Sequence, residues 1–167
     1  MDQEYKSSIT SINKNKIPKV FKMVDWANDT KNLDYGGGRW DIQTEYLSTH
    51  HNVLNYVYDP YNRTKEENER ALAQAPFDTV TLSNVLNVIA EDEICVAILE
   101  HIKKLLKPNG KLYISTYEGN KSGIPKPNKK RNSYQRNWRL QQYYPLIYRV
   151  FPKATIVRRE NVCIVIY

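Results

Sequence analysis

The sequence predicts an α/β fold built on a mainly parallel sheet with one antiparallel edge. Three observations predict it. From residue 33 to residue 116, short runs rich in β-branched and aromatic residues alternate with stretches of helical period. The first strand-to-helix junction carries the glycine run Gly36-Gly37-Gly38, which marks a tight turn where a backbone can approach a ligand closely. The chain then finishes in two β-type runs, Ala154 to Arg158 and Val162 to Tyr167, separated only by Arg159-Glu160-Asn161, which read as a terminal hairpin.

In chain order, residues 1–19 are polar with scattered lysines (Lys6, Lys14, Lys16, Lys19) and Pro18, and read as an arm that orders on contact. Val20 to Asn28, with Val20, Phe21, Val24 and Trp26 on an apolar stripe, suits a short helix that leaves through Asn28-Asp29-Thr30 and caps one edge of the ligand site. Leu33 to Tyr35 is the first strand, and Trp40 to Leu47 the first sheet-packed helix. Thr49-His50-His51-Asn52 is a polar connection. The adjacent histidines lack a Cys or carboxylate cluster, so no metal is expected there.

Val53 to Tyr58 is the second strand, closed by Asp59-Pro60. Thr64 and Glu67 form a capping box that starts a helix running to about Ala75. Phe77 to Leu82 is a further strand. Glu91 to Leu106 has helical spacing, stopped by Lys107-Pro108-Asn109-Gly110, and Lys111 to Thr116 is the next strand. His101 is expected on the solvent face of its helix. Residues 117–132 form a loop dense in Lys, Pro and Gly, and Ser133 to Val150 is read as a helical stretch interrupted at Pro145. Cys95 and Cys163 are expected as buried, reduced thiols.

The chain of 167 residues is read as a single domain. Its parts are an arm and cap helix at 1–30, a core at 31–116, a basic loop and aromatic helix at 117–150, and the hairpin at 151–167. With 41% hydrophobic and 26% charged residues and no apolar run near the ~20 residues of a membrane span, no membrane partner is expected. The polar, acidic start at Met1-Asp2-Gln3-Glu4 does not read as a secretory signal, so a cytoplasmic location is expected. A net charge of +7 points to polyanionic partners. The basic segment 121–139 interleaves Lys129, Lys130, Arg131, Arg136 and Trp138, which suits phosphate contact with base stacking; the alternative is a solvated loop leading into an ordinary aromatic helix.

Two further groups of residues concern a ligand. Asp59 follows the glycines by the ~20 residues at which dinucleotide-type folds place a ribose-binding carboxylate; the alternative is a turn opener of Asp-Pro type. Ser83, Asn84 and Asn87 follow a strand whose end faces the glycines, and are candidates for the floor of a site or for helix caps.

With the elements in this order, residues 30–167 resemble the class I S-adenosylmethionine-dependent methyltransferases, which have a Rossmann-like fold. The resemblance rests on Leu33-Asp34-Tyr35-Gly36-Gly37-Gly38, on Asp59, and on Phe77-Asp78-Thr79-Val80 through Asn84-Val85-Leu86-Asn87-Val88-Ile89 to Leu105-Leu106-Lys107-Pro108-Asn109-Gly110. More narrowly, Asp59-Pro60-Tyr61 and Leu86-Asn87-Val88-Ile89 resemble bacterial methyltransferases associated with DNA modification. The resemblance implies an S-adenosylmethionine cofactor bound by Asp34, Gly36, Gly37, Gly38, Asp59 and Asn84, with Asp59 on both ribose hydroxyls and methyl transfer by direct displacement. Together with the basic segment 121–139, it leads to nucleic acid or a nucleic-acid-associated target as the expected acceptor, met by Asn87, Lys129, Lys130, Arg131, Arg136 and Trp138. No catalytic side chain is singled out.

Two departures from the family pattern stand out. Trp40 replaces the third glycine, and only a short helix separates Asp59 from Phe77, so the family's third strand is expected to be reduced or absent. Neither a Pro-Pro-aromatic tetrad nor a Pro-Cys nucleophile is present. A small-molecule methyltransferase and a non-catalytic binding module on this fold are the alternative readings.

Overall fold

The computed structural model describes residues 3–8, 15–27 and 30–166. Its helices are α1 (Lys19–Met23), α2 (Ile42–His51), α3 (Lys65–Leu72), α4 (Asp92–Leu105) and α5 (Tyr144–Val150). Its strands are β1 (Lys31–Tyr35), β2 (Leu54–Tyr58), β3 (Phe77–Ser83), β4 (Leu106–Ser115), β5 (Thr155–Arg159) and β6 (Val162–Ile166). They form one sheet in the order β2-β1-β3-β4-β6-β5. The first four run parallel, with Leu33 beside Tyr56 and Val80, and Val80 beside Leu112; β4–β6 and β6–β5 are antiparallel. Strand β2 is an edge, so the reduced third strand expected from the short Asp59–Phe77 connection is absent among the described residues.

Alternation along the strands sorts the two faces of the sheet. Leu33, Val80, Leu82, Leu112, Ile114 and Cys163 turn to the face covered by α4 and α5, where Leu99, Ile102, Ile147 and Phe151 complete the main core. Tyr113 and Val162 turn to the opposite face and meet Val20, Phe21, Leu47 and Val53. Helix α1 therefore covers the sheet, where Trp26 packs on Tyr113 at 6.2 Å, rather than capping an edge of the ligand site. It is also shorter than the Val20–Asn28 stretch: Val24 is already extended, and Asn28 and Asp29 lie outside the described residues. Both thiols are buried, which pushes Cys95 up to about 11 and Cys163 to about 12.

Most boundaries follow their local signals. The Thr64–Glu67 capping box opens α3, with the Thr64 side chain accepting from Glu67 N. Helix α4 passes directly into β4, and Lys107–Gly110 is looped out of that strand between its pairings Phe77–Leu106 and Thr79–Lys111. His101 is partly buried rather than solvent-facing: its Nδ1 lies 3.0 Å from the Tyr35 hydroxyl, and burial lowers its pKa.

The largest difference falls on Ser133 to Val150, which is not one helix. Residues 133–139 are non-helical, a 3-10 turn covers Leu140–Tyr143, and Pro145 sits in the first turn of α5, where it starts a helix instead of interrupting one. Arg136 fixes this path. It is 2% exposed and donates to Ile89 O (2.6 Å), Ala90 O (3.2 Å) and Asp92 Oδ1 (2.6 Å), with its guanidinium 4.4 Å from the Trp138 ring centre. Trp138 in turn packs against buried Tyr143 at 5.2 Å. The pair read as suited to phosphate contact and base stacking thus forms, through buried Arg136 and partly buried Trp138, a clamp between residues 136–143 and the start of α4, because the fork of Arg136 satisfies carbonyls that precede that helix.

Replacing Arg136 with Met removes these bonds and leaves buried carbonyls unpaired. A loss of about 2–4 kcal/mol in urea unfolding is expected; an unchanged midpoint would place Arg136 at the surface.

Candidate active site

The C-terminal ends of β1, β2, β3 and β4 lie along one edge of the sheet, the place where open α/β sheets bind ligands. A cavity of about 690 Å³ opens there, within the ~300–1,000 Å³ range of small-molecule sites. Its floor is built from Asp34 to Gly38, Tyr58 to Asn62, Ser83 to Val85, and Asn87. Its roof comes from the arm (Gln3, Lys6, Ser7, Ser8, Lys16) and from Lys126, Asn128 and Ser133 to Gln135.

The glycine turn is tightly held. Gly36 N and Gly37 N both donate to Tyr58 O (2.7 and 3.3 Å), and Gly38 N donates to Asp59 Oδ2 (2.9 Å). Gly36 and Gly38 have φ of 77° and 76°, so the turn needs the left-handed region. A Cβ on Gly36 would overlap Val85 Cγ2, and one on Gly37 would overlap the Asp34 carboxyl. The run is therefore required by the turn itself.

Asp34 supports the turn from below. It is 2% exposed; Oδ2 accepts from Gln43 Nε2 (3.0 Å) and Oδ1 from Thr81 Oγ1 (3.2 Å). Gln43 Nε2 also donates to Gly37 O at 3.0 Å, tying α2, the turn and β1 together. Burial disfavours the charged carboxylate and pushes Asp34 up to about 7, with the negative charge of Asp59 adding to the shift and Gln43, Thr81 and Arg63 opposing it.

Asp59, 6% exposed, is largely taken up by the chain. Its Oδ1 accepts from Tyr61 N (2.9 Å), Asn62 N (2.9 Å) and Asn62 Nδ2 (3.2 Å), and its Oδ2 from Gly38 N. The Asp-Pro turn and the ligand-facing position are therefore one residue's two roles. Each carboxylate oxygen offers about two lone-pair sites, so Oδ1 is fully taken while Oδ2, with one donor, keeps one site, which suits one hydroxyl rather than the two that the resemblance implies.

Asn84 has φ 57° and its N–H donates to Ser115 O (2.8 Å), placing it beside the turn through Val85. Ser83 Oγ accepts from Ser115 Oγ at 3.2 Å, and neither Ser83 nor Asn84 caps a helix. Asn87 is buried in the floor. Lys129, Lys130 and Arg131 form an exposed 3-10 turn capped by Asn128 Oδ1; they do not line the cavity, whereas Lys126 and Asn128 do.

Three contributors have no sequence pattern that singles them out. Gln43 is an ordinary first-turn residue. Arg63 donates to Gly38 O (2.8 Å), Trp40 O (3.2 Å) and Asp41 Oδ1 (2.7 Å), clamping the turn from the loop after β2. The arm joins the roof through Ser7, whose N–H donates to Asn132 O and whose Oγ donates to Val88 O (3.2 Å), and through Tyr5 stacked on Tyr134 at 5.6 Å. Trp40 sits on the cavity rim, 40% exposed, and does not crowd the glycines. Among the described residues, no group of three or more His, Cys, Asp or Glu is placed to hold a metal, and no helix is long and apolar enough to cross a membrane.

Two measurements probe this floor. A carboxyl whose pKa is raised on folding contributes most below its unfolded value near ~4 and loses that contribution as pH rises to about 7. Relative to Asp34→Asn, the wild-type chain should thus lose urea stability between these pH values; parallel profiles would contradict the assignment. Gly37→Ala should cost about 1–3 kcal/mol through overpacking against Asp34 and Val57, read by thermal melting; an unchanged melt would contradict it.

Comparison with known proteins gives the family. A methyltransferase domain profile matches residues 12–159. No curated protein matches. Among solved structures, CalO1, a methyltransferase in calicheamicin biosynthesis, is similar at 16% identity and a TM-score of 0.55, over 88% of this chain and 51% of its own. The Burkholderia thailandensis 1,6-didemethyltoxoflavin-N1-methyltransferase is similar at 18% identity and 0.58, over 83% and 69%. NcsB1, an O-methyltransferase from neocarzinostatin biosynthesis, is similar at 15% identity and 0.59, over 88% and 51%. The chain thus spans about half the length of CalO1 and NcsB1. With its profile match covering most of the sequence and its sheet of the same fold, the chain belongs to the methyltransferase domain family.

Proposed function

We propose that the chain is an S-adenosylmethionine-dependent methyltransferase acting on a small molecule. The observation that carries this reading is the cavity built on Gly36–Gly38 and Asp59 at the carboxyl ends of the parallel strands. The residues present fit the cofactor. The turn has no side chains in the way, Asp59 Oδ2 retains one acceptor site for a ribose hydroxyl, and Val85, Ile94 and Ile98 supply apolar wall. The three solved relatives include complexes with S-adenosylhomocysteine, and they act on small molecules according to their names.

When bound, S-adenosylmethionine supplies an electrophilic methyl carbon on a sulfonium, open to direct displacement. The chain's own part is placement. Gly36 to Gly38 let a ligand approach the backbone, with Asp34 and Gln43 holding the turn's shape. Asp59 orients through one charge-assisted bond. The arm, Lys126, Asn128 and Ser133 to Gln135 wall the cavity from above, and holding two reactants in register supplies most of the catalysis that such a displacement needs. Asp34 is too enclosed to act as a base on an acceptor.

A nucleic-acid acceptor is the second reading, favoured by the exposed turn Lys129–Arg131. Arg136 and Trp138 no longer support it, since both are engaged within the protein. Calorimetric titration with S-adenosylhomocysteine tests the main proposal: binding at micromolar affinity, about −7 to −8 kcal/mol, is expected, and absence of binding would overturn it. Charge reversal of Lys129, Lys130 and Arg131 should leave that affinity unchanged. If the wild-type chain also bound RNA or DNA in a salt-dependent way that the reversal abolished, the second reading would replace the small-molecule acceptor.

A further inference from the structure

The roof and the floor of the cavity meet at Asn87, which is 2% exposed and lines the cavity. Its Nδ2 donates to Gln135 Oε1 at 3.0 Å, while its Oδ1 is buried without a hydrogen-bond partner in the protein. The polarity of this amide is set by its neighbours. The Tyr117 carbonyl can only accept, so Gln135 offers it Nε2–H at 2.8 Å; Gln135 Oε1 then faces Asn87 and takes an N–H from it. The backbone is held as well, because Asn87 O accepts from Arg136 N at 2.9 Å. The unpartnered buried atom of this cavity-lining residue is therefore an acceptor. An unpaired buried oxygen is costly, and a ligand N–H or O–H would pair it.

In the chain, Asn87 lies between a residue set against the glycine turn and one bonded to the arm. Val85 touches the glycine turn, whereas Val88, next to Asn87, accepts from Ser7 of the arm. Charge points the same way. Lys6 and Lys16 of the arm and Lys126 of the later connection line the cavity, and among the described residues none of them has a carboxylate within ion-pair distance. The two carboxylates of the wall, Asp34 and Asp59, are both engaged in the floor.

Resting on the methyltransferase reading above, we propose that this end of the cavity takes a small anionic acceptor, a carboxylate or a phosphate, that donates an O–H or N–H to Asn87 Oδ1. Asn87 reads the donor, and the lysines read the charge. A molecule without a donor would leave the oxygen unpaired, and a neutral one would leave three ammonium groups uncompensated.

The test uses the full chain saturated with S-adenosylhomocysteine, titrated with four probes: 4-hydroxybenzoate, 4-hydroxyphenyl phosphate, 4-methoxybenzoate and methyl 4-hydroxybenzoate. Either or both of the first two should bind at least about tenfold more tightly than the last two, a difference of about 1.4 kcal/mol, and the stronger of them tells carboxylate from phosphate. Asn87→Leu should erase the preference over the methoxy probe, Asn87→Asp should keep it, and Lys126→Glu should weaken the anions selectively, with melting temperatures within about 3 °C of wild type. Equal binding of hydroxy and methoxy probes, survival of the preference in Asn87→Leu, or no binding of any probe would overturn the inference. Failure to bind S-adenosylhomocysteine itself would instead overturn the reading beneath it.

Discussion

Everything at the site depends on a buried ladder of polar side chains beneath the glycine turn. Asn32 Nδ2 donates to Asn55 Oδ1 (2.7 Å) and Thr81 Oγ1 (3.1 Å), and Thr79 Oγ1 donates to Asn32 Oδ1 (2.8 Å). Thr81 then reaches Asp34, and Gln43 carries the chain of bonds from Asp34 to Gly37 O. These residues belong to β1, β2, β3 and α2, and they meet only because the three strands are parallel and in the observed register. A slip by one residue would exchange them with Leu33, Tyr56 and Val80, which face the other side. Satisfied networks of this kind rigidify a fold, and partly satisfied ones are costly. The turn is consequently rigid where a ligand would approach it.

The same arrangement explains how a short chain builds an enclosed site with β2 as its edge. The floor needs only the ends of the parallel strands and the Asp59–Arg63 loop, which is locked by Asp59 and Arg63 to the glycines. Enclosure comes from elsewhere: an arm and a long connection are stapled together by Tyr5 on Tyr134 and by Ser7, and Arg136 anchors that connection to the start of α4. The roof is thus a built part of the structure, bonded to the segment after β3 through Asn87 and Val88. Its lysines give the cavity a positive upper wall over an internally satisfied lower one.

The parallel sheet and its antiparallel terminal hairpin were largely legible in the sequence, because β-branched runs, a capping box and a glycine break are local signals with physical causes, whereas the order of the strands leaves no such local signal. Gly36 to Gly38 and Asp59, singled out by their spacing, and Asn84, singled out by its place after a strand end, line one cavity. Residues 133–150 were misread because charge and aromaticity do not reveal burial: Arg136 and Trp138 look like a surface pair until the carbonyls of Ile89 and Ala90 are known to lie beside them. Pro145 carries opposite meanings inside a helix and in its first turn, and only the path of the preceding residues decides between them. Gln43 and Arg63 act through single tertiary bonds, which leave no periodicity. His101 moved inward for a similar reason, since the hydroxyl of Tyr35 awaits it across the sheet–helix interface.

The most direct measurement of the central claim is an amide-resolved NMR titration of the 15N-labelled chain with S-adenosylhomocysteine. The account predicts that the amides of Gly36, Gly37, Gly38, Asp59 and Asn84 shift together, while those of Lys129 to Arg131 stay in place. Shifts confined to the basic turn, or to the hairpin of β5 and β6, would contradict it.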